Sequence, residues 1–141
     1  MPYQTNIALD LTPRVTQKYL VSPAHRRRQA GKSRWTISVD EEVECFIHSQ
    51  THNWIEASTA WGIIQNGNGL LILGLSTTNI SLKLAKFVDS DGTNLWHGYP
   101  ADFVRNNHDR PGMLTLHDWK TRGFIEKHHI IKIRKGKECN L

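Results

Sequence analysis

The stretch SLKLAKFVDSDGTNLWHGYP, residues 81–100, decides the fold class. Ser81–Val88 and Asn94–Tyr99 read as strands and flank Asp89-Ser90-Asp91-Gly92. Asp and Gly supply turn chemistry, and Gly92 is able to take a left-handed conformation. Two strand-like runs around such a turn predict an antiparallel hairpin. Pro100 cannot donate to a ladder, so it is expected to mark the strand end.

Working upstream, Leu70–Ser76 reads as a short buried strand. Before it, Asn53 precedes Trp54 and is followed three residues later by Glu56, the spacing of a capping box. Trp54, Ala57, Trp61 and Ile64 recur at helical intervals, predicting one main amphipathic helix over about 54–65. Asn66-Gly67-Asn68-Gly69 is expected to end it. Trp35, Ile37 and Val39 alternate with Thr36 and Ser38, as in a half-buried strand. Glu42–Ser49 continues the alternation, and its β-branched and aromatic content favours strand over a competing helix across 41–48. Residues 1–33, broken at Pro2, Pro13 and Pro23, read as a basic, loosely structured N-terminal arm with one short element near Val15–Val21.

Downstream, Thr115 is expected to cap a short helix with Asp118 at its third position, and Gly123 to end it. Phe124–Lys135, stopped by Gly136, fits a second helix by its basic last turn or a terminal strand by Ile131 and Ile133. The sum is an α+β fold: a small, mostly antiparallel sheet of about four to five strands, the helix near 54–65, and short C-terminal helices. A chain of 141 residues is expected to form a single domain, 1–141.

No apolar run is long enough to span a bilayer, and Met1–Arg14 lacks the pattern of a secretion signal. Cys45 and Cys139 match no metal or redox spacing, so a cytoplasmic protein with reduced thiols is expected. The net charge of +5 is unevenly spread. Met1–Arg34 carries seven basic residues against Asp10 alone, and Tyr99–Leu141 carries nine against five acids. Between them, Trp35–Gly98 sets Lys83 and Lys86 against seven acids. Basic ends around an acidic middle point to a polyanion, or to ends that fold onto the middle in this subunit or a neighbour.

Eight histidines raise metal and acid–base chemistry. His48 and His52 are four apart but lack a matched third ligand, and adjacent His128 and His129 are expected to diverge, so no metal is expected. No phosphate loop, dinucleotide fingerprint, nucleophile elbow or paired-carboxylate motif occurs, and no cofactor is expected. Carboxylates at 40–44 read as a solvated turn or a landing site for basic residues. The distinctive string is Trp96-His97-Gly98-Tyr99-Pro100. Trp96 and Tyr99 are candidates for aromatic contact with a base or sugar, although strand aromatics usually pack in a core. His97 is the candidate general base, with Arg105 and His108 on the same rim.

The function these residues favour is a non-enzymatic accessory protein that binds nucleic acid or another polyanion. Arg26, Arg27 and Arg28 are the expected phosphate contacts, with Lys127, Lys132, Arg134 and Lys135 of the C-terminal segment. The alternatives are a metal-independent, histidine-dependent nuclease centred on His97, and a homo-oligomeric interaction module. A membrane partner is not expected.

Overall fold

The computed structural model describes residues 3–67 and 69–141, so the expected break at Pro2 and residue Asn68 lie outside the described residues. The architecture is α+β. The first strands are β1 (Ala8–Asp10), β2 (Lys18–Leu20) and β3 (Arg34–Trp35), followed by helix α1 (Val39–Thr51). Then come β4 (Ile55–Glu56), β5 (Thr59–Gly62), β6 (Gln65–Asn66), β7 (Gly69–Leu70), β8 (Gly74–Leu75) and β9 (Ser81–Leu82). The chain ends with β10 (Leu84–Val88), β11 (Leu95–Ala101), α2 (Met113–Thr121) and α3 (Lys127–Lys135). Among the described residues, no helix is long and apolar enough to cross a membrane.

The main sheet has six strands in the order β1-β2-β11-β10-β5-β4. Its centre is the hairpin of β10 and β11, in which Val88 pairs with His97 and Leu84 with Ala101, while Ser81–Leu82 pairs instead with β8 in a separate three-stranded sheet. Asn94 closes the turn by donating its N–H to the Asp89 carboxylate. The ladders are antiparallel except between β11 and β2, which run parallel. The strand does not end at Pro100, as the sequence suggested, but runs through it to Ala101. Because β2 pairs only with Leu95 and Trp96, the Pro100 end of β11 is free of that neighbour, and a residue without an N–H is tolerated there.

Alternation along the central strands builds a core on each face. Ala85, Phe87 and Trp96 join the first, with Tyr19, Ala60 and the α1 residues Val43, Phe46 and Ile47. Leu84, Trp61 and Ala101 point the other way and join Leu116, Trp119, Ile130 and Ile133 of α2 and α3. Gly98 faces the first core, where a Cβ would stand 2.3 Å from the Phe87 ring. A side chain there would separate strand from core, so the position requires hydrogen.

The helix expected over 54–65 is absent; this segment forms strands β4 and β5. Asn53 and Ala57 both take positive φ (56° and 55°), the left-handed turns of a chain reversing direction. The capping box stands elsewhere: Ser38 accepts from the N–H of Glu41, whose carboxylate accepts from the N–H of Ser38. Glu42–Ser49 is therefore helix, not strand. Val43, Phe46, Ile47 and Gln50 are the buried i, i+3, i+4 and i+7 positions, and Phe46, which the alternation left on the polar side, is fully buried. Of the run Trp35–Val39 only Trp35 lies in a strand, with Val39 opening α1, and Leu70–Ser76 divides between β7 and β8.

Residues 3–33, read from the sequence as an arm, contribute β1 and β2 to the main sheet, and Tyr19 and Val21 are fully buried. At the other end, the segment Phe124–Lys135 is helix from Lys127 onward, with Glu126 as its cap and Gly136 left-handed after α3. Thr115 lies inside α2 rather than capping it. The cap is Gly112, whose N–H donates 2.6 Å to the Glu56 carboxylate on β4.

Candidate functional site

On β11, His97 and Tyr99 share the sheet face of Ala101, because successive side chains alternate. Ala101 is covered by the second core, but His97 and Tyr99 lie beyond it and line a polar cleft of about 650 Å³. Three further segments close the cleft. The turn at Pro23–His25 brings His25, whose ring stacks on Tyr99 at 5.3 Å. The loop through Gly31, left-handed at φ +76°, brings Lys32 and Ser33. The segment after β11 brings Asp102, Arg105, His108 and Asp109.

Hydrogen bonds fix these groups. His25 Nδ1 lies 2.8 Å from the Ser33 carbonyl oxygen, which only accepts, so Nδ1 carries the proton and a neutral ring keeps its lone pair on Nε2. Tyr99 donates to Asp109 at 2.9 Å, and the same carboxylate accepts from the N–H of Asp102. Lys86, on the cleft-facing side of β10, donates 2.6 Å to the His108 carbonyl and stands 3.9 Å from Asp109. Its ammonium also lies 5.4 Å from the Trp61 ring centroid, against the second core. Asp102 holds Arg105 at 3.1 Å. The cleft's acids are thus committed to neighbours.

Burial sets the titration of these groups. It depresses His25, and the nearby charges of Lys32 and His97 push the same way against the Ser33 hydrogen bond. It depresses His97, opposed by Asp91. Tyr99 is pushed up by burial and by the Asp109 carboxylate, so its hydroxyl stays protonated as a donor. Lys86 is lowered by desolvation, partly offset by Asp109.

A smaller groove of about 300 Å³ continues from the cleft, lined by Arg28 and Arg34, and shares Gly31, Lys32, Ser76 and Thr77 with it. Arg28 and Lys32 are exposed.

The structure thus gathers His97, Tyr99, Arg105 and His108 around one cleft, and seats Arg28 beside it. The remaining expected residues lie elsewhere. Trp96 is buried in the first core against Phe46, with its indole N–H on Asn94. Arg26 is bound within the fold: its guanidinium holds the fully buried Glu42 at 2.6 Å and donates to the carbonyls of Ile37 and Ser38. Tyr19 donates to the same carboxylate. Arg14 pairs with Glu44, so the acidic stretch 40–44 is a landing site for basic residues of the N-terminal third. Arg27 is exposed and lines neither groove. Lys127, Lys132, Arg134 and Lys135 sit on α3 and line neither groove, and Arg134 donates to the Pro111 carbonyl.

Among the described residues, the other histidines do not form a ligand set with free lone pairs. His48 and His52 lie 6.0 Å apart, with His52 stacked on Trp54, beside a groove of about 490 Å³ whose wall is largely apolar. His128 and His129 do not diverge as expected: their rings are 4.1 Å apart, and with Glu126 their ligand atoms lie within 4.8 Å of one another. His129, however, accepts from the Glu126 N–H through Nδ1 and meets the Asn140 carbonyl through Nε2, so both its nitrogens are engaged.

Sequence reasoning missed His25, which stands beside the arginines Arg26, Arg27 and Arg28. The available signal was the Ala30-Gly31 turn, which folds Ser33 back onto the histidine. No protein-family model, curated protein or solved structure matches this chain.

Proposed function

We propose that this protein binds a chain of phosphates, most directly single-stranded nucleic acid, along the track from Arg28 and Arg34 past Lys32 into the histidine cleft. The observation that carries this reading is the continuity of the two grooves through Gly31, Lys32, Ser76 and Thr77. A single phosphate needs one pocket. A cationic groove joined edge to edge to a histidine-lined cleft suits a ligand with repeated charges. The stacked His25–Tyr99 pair supports it further, since an aromatic surface beside a cationic groove is what an unpaired base stacks on. The basic residues of α3 are left out of this track, so the reading is narrower than general affinity for polyanions.

The test is a salt titration with a fluorescent single-stranded oligonucleotide. Neutralising about three phosphates, one each by Arg28, Lys32 and Arg34, gives a log–log slope near −2, or about a 20-fold loss of affinity between roughly 50 and 200 mM salt. The double variant Arg28→Ala with Lys32→Ala, both exposed, should bring the slope to about −0.7. An unchanged slope in that variant, or no binding at low salt, refutes the reading.

A further inference from the structure

We propose that the cleft cleaves RNA by transesterification at the 2′-hydroxyl, with His25 as general base and His97 as general acid. This rests on the reading that a phosphate chain occupies the cleft, and it adds a reaction to it. The cleavage requires a neutral imidazole on one side of the phosphate, a protonated imidazole on the other, and a cation at the phosphoryl oxygens.

The cleft offers a residue for each part. His25 is oriented by its Nδ1–H bond to the Ser33 carbonyl, which leaves the Nε2 lone pair to accept a proton. His97 is attached to the sheet, two residues from Tyr99 on the same face, a separation of about 6.5–7 Å along a strand. Because the His25 ring lies against Tyr99, the two imidazoles flank one part of the cleft, near enough that charge on His97 opposes charge on His25. The same proximity favours one protonated ring at a time. Asp91 favours the protonated form of His97, while Lys32 bears on both rings. The Ser33 bond, which presents the His25 Nε2 lone pair to the cleft, assigns His25 as the base and leaves His97 as the acid. Lys32, shared by both grooves, is the cation for the phosphorane.

The step balances without an external reactant. His25 Nε2 takes the 2′-hydroxyl proton as the 2′-oxygen forms a bond to phosphorus. The bond from phosphorus to the 5′-oxygen breaks, and its electron pair leaves on that oxygen, which takes the proton of the His97 imidazolium. The products are a 2′,3′-cyclic phosphate and a 5′-hydroxyl. Proton exchange with water then returns both rings to their starting forms.

The experiment uses the full chain with a short oligoribonucleotide in EDTA, read by end-group analysis, alongside binding measured by anisotropy with an all-DNA strand of the same sequence. Expected are cyclic phosphate and 5′-hydroxyl ends from RNA, and binding of DNA without cleavage. His25→Asn and His97→Asn should each lower the cleavage rate about 100- to 10,000-fold, as loss of a general acid or base does. Circular dichroism spectra and melting temperatures matching those of the unsubstituted protein report that both variants fold. An RNA strand with one 2′-deoxy position should resist cleavage at that position, a test that leaves the protein untouched. Binding without cleavage overturns this inference and leaves the binding reading intact, whereas absence of binding overturns both. Cleavage that EDTA abolishes, or that persists in either histidine variant, also overturns it.

Discussion

Replacing Arg26 by alanine tests whether that residue belongs to the fold rather than to a ligand surface. Its guanidinium is the cationic partner of Glu42, a fully buried carboxylate whose other hydrogen bond comes from Tyr19. Removing one member of such a pair leaves a buried charge uncompensated and costs about 3–5 kcal/mol. In a chain of this size about 1 kcal/mol shifts the melting temperature by roughly 2–4 °C, so Arg26→Ala should melt about 6–20 °C lower by circular dichroism. The pH dependence has a definite sign. Burial raises the Glu42 carboxyl above its ordinary value, with Tyr19 and Arg26 opposing the rise. A group whose folded value is raised stabilises fully below its unfolded value and loses that contribution as pH climbs through the folded one. Without Arg26 the rise is larger, so the cost should be small at acidic pH and grow toward neutrality. Adding Glu42→Gln to Arg26→Ala should recover much of the loss, because no buried charge then remains. A cost below about 1 kcal/mol at neutral pH, the level of an exposed ion pair, would refute the reasoning, as would a cost independent of pH.

Other outcomes follow from single contacts. Gly98→Ala should destabilise by about 1–3 kcal/mol, since the new methyl would meet the Phe87 ring, and chemical denaturation measures it. Glu56→Ala should lose about 1.5–3 kcal/mol by removing the charged acceptor of the Gly112 N–H, with hydrogen exchange rising first in the opening turn of α2. In the folded protein a thiol reagent should label Cys139 before Cys45, because burial in the first core shields Cys45 and pushes its thiol up; mass spectrometry before and after unfolding reads the order.

The elements legible in the sequence are those specified by residues close together in it. The hairpin of β10 and β11 was visible because Asp89, Asp91 and Gly92 punctuate two runs that pair with each other. The end of α3 was visible because Gly136 follows its basic last turn. The segment 54–65 misled because Trp54, Ala57, Trp61 and Ile64 have helical spacing, yet Trp54, just before β4, and Trp61, on β5, both reach the second core. What decided it was backbone: the left-handed turns at Asn53 and Ala57, and a capping box at Ser38–Glu41 that had already placed the helix before them.

The site divides in the same way. His97 and Tyr99 on one face, with Arg105 and His108 just downstream, follow from strand alternation and short separations in the chain. That His25 lies on Tyr99, that Lys32 joins two grooves, and that Arg26 is held by Glu42 while Arg28 remains exposed depend on packing between distant segments. Sequence by itself therefore determined the α+β class, the central hairpin and the strand that carries His97, because local backbone preference and period-two burial act over a few residues. Tertiary structure alone decided which cations are consumed inside and which line the cleft, because a charge is committed by whichever partner burial brings against it.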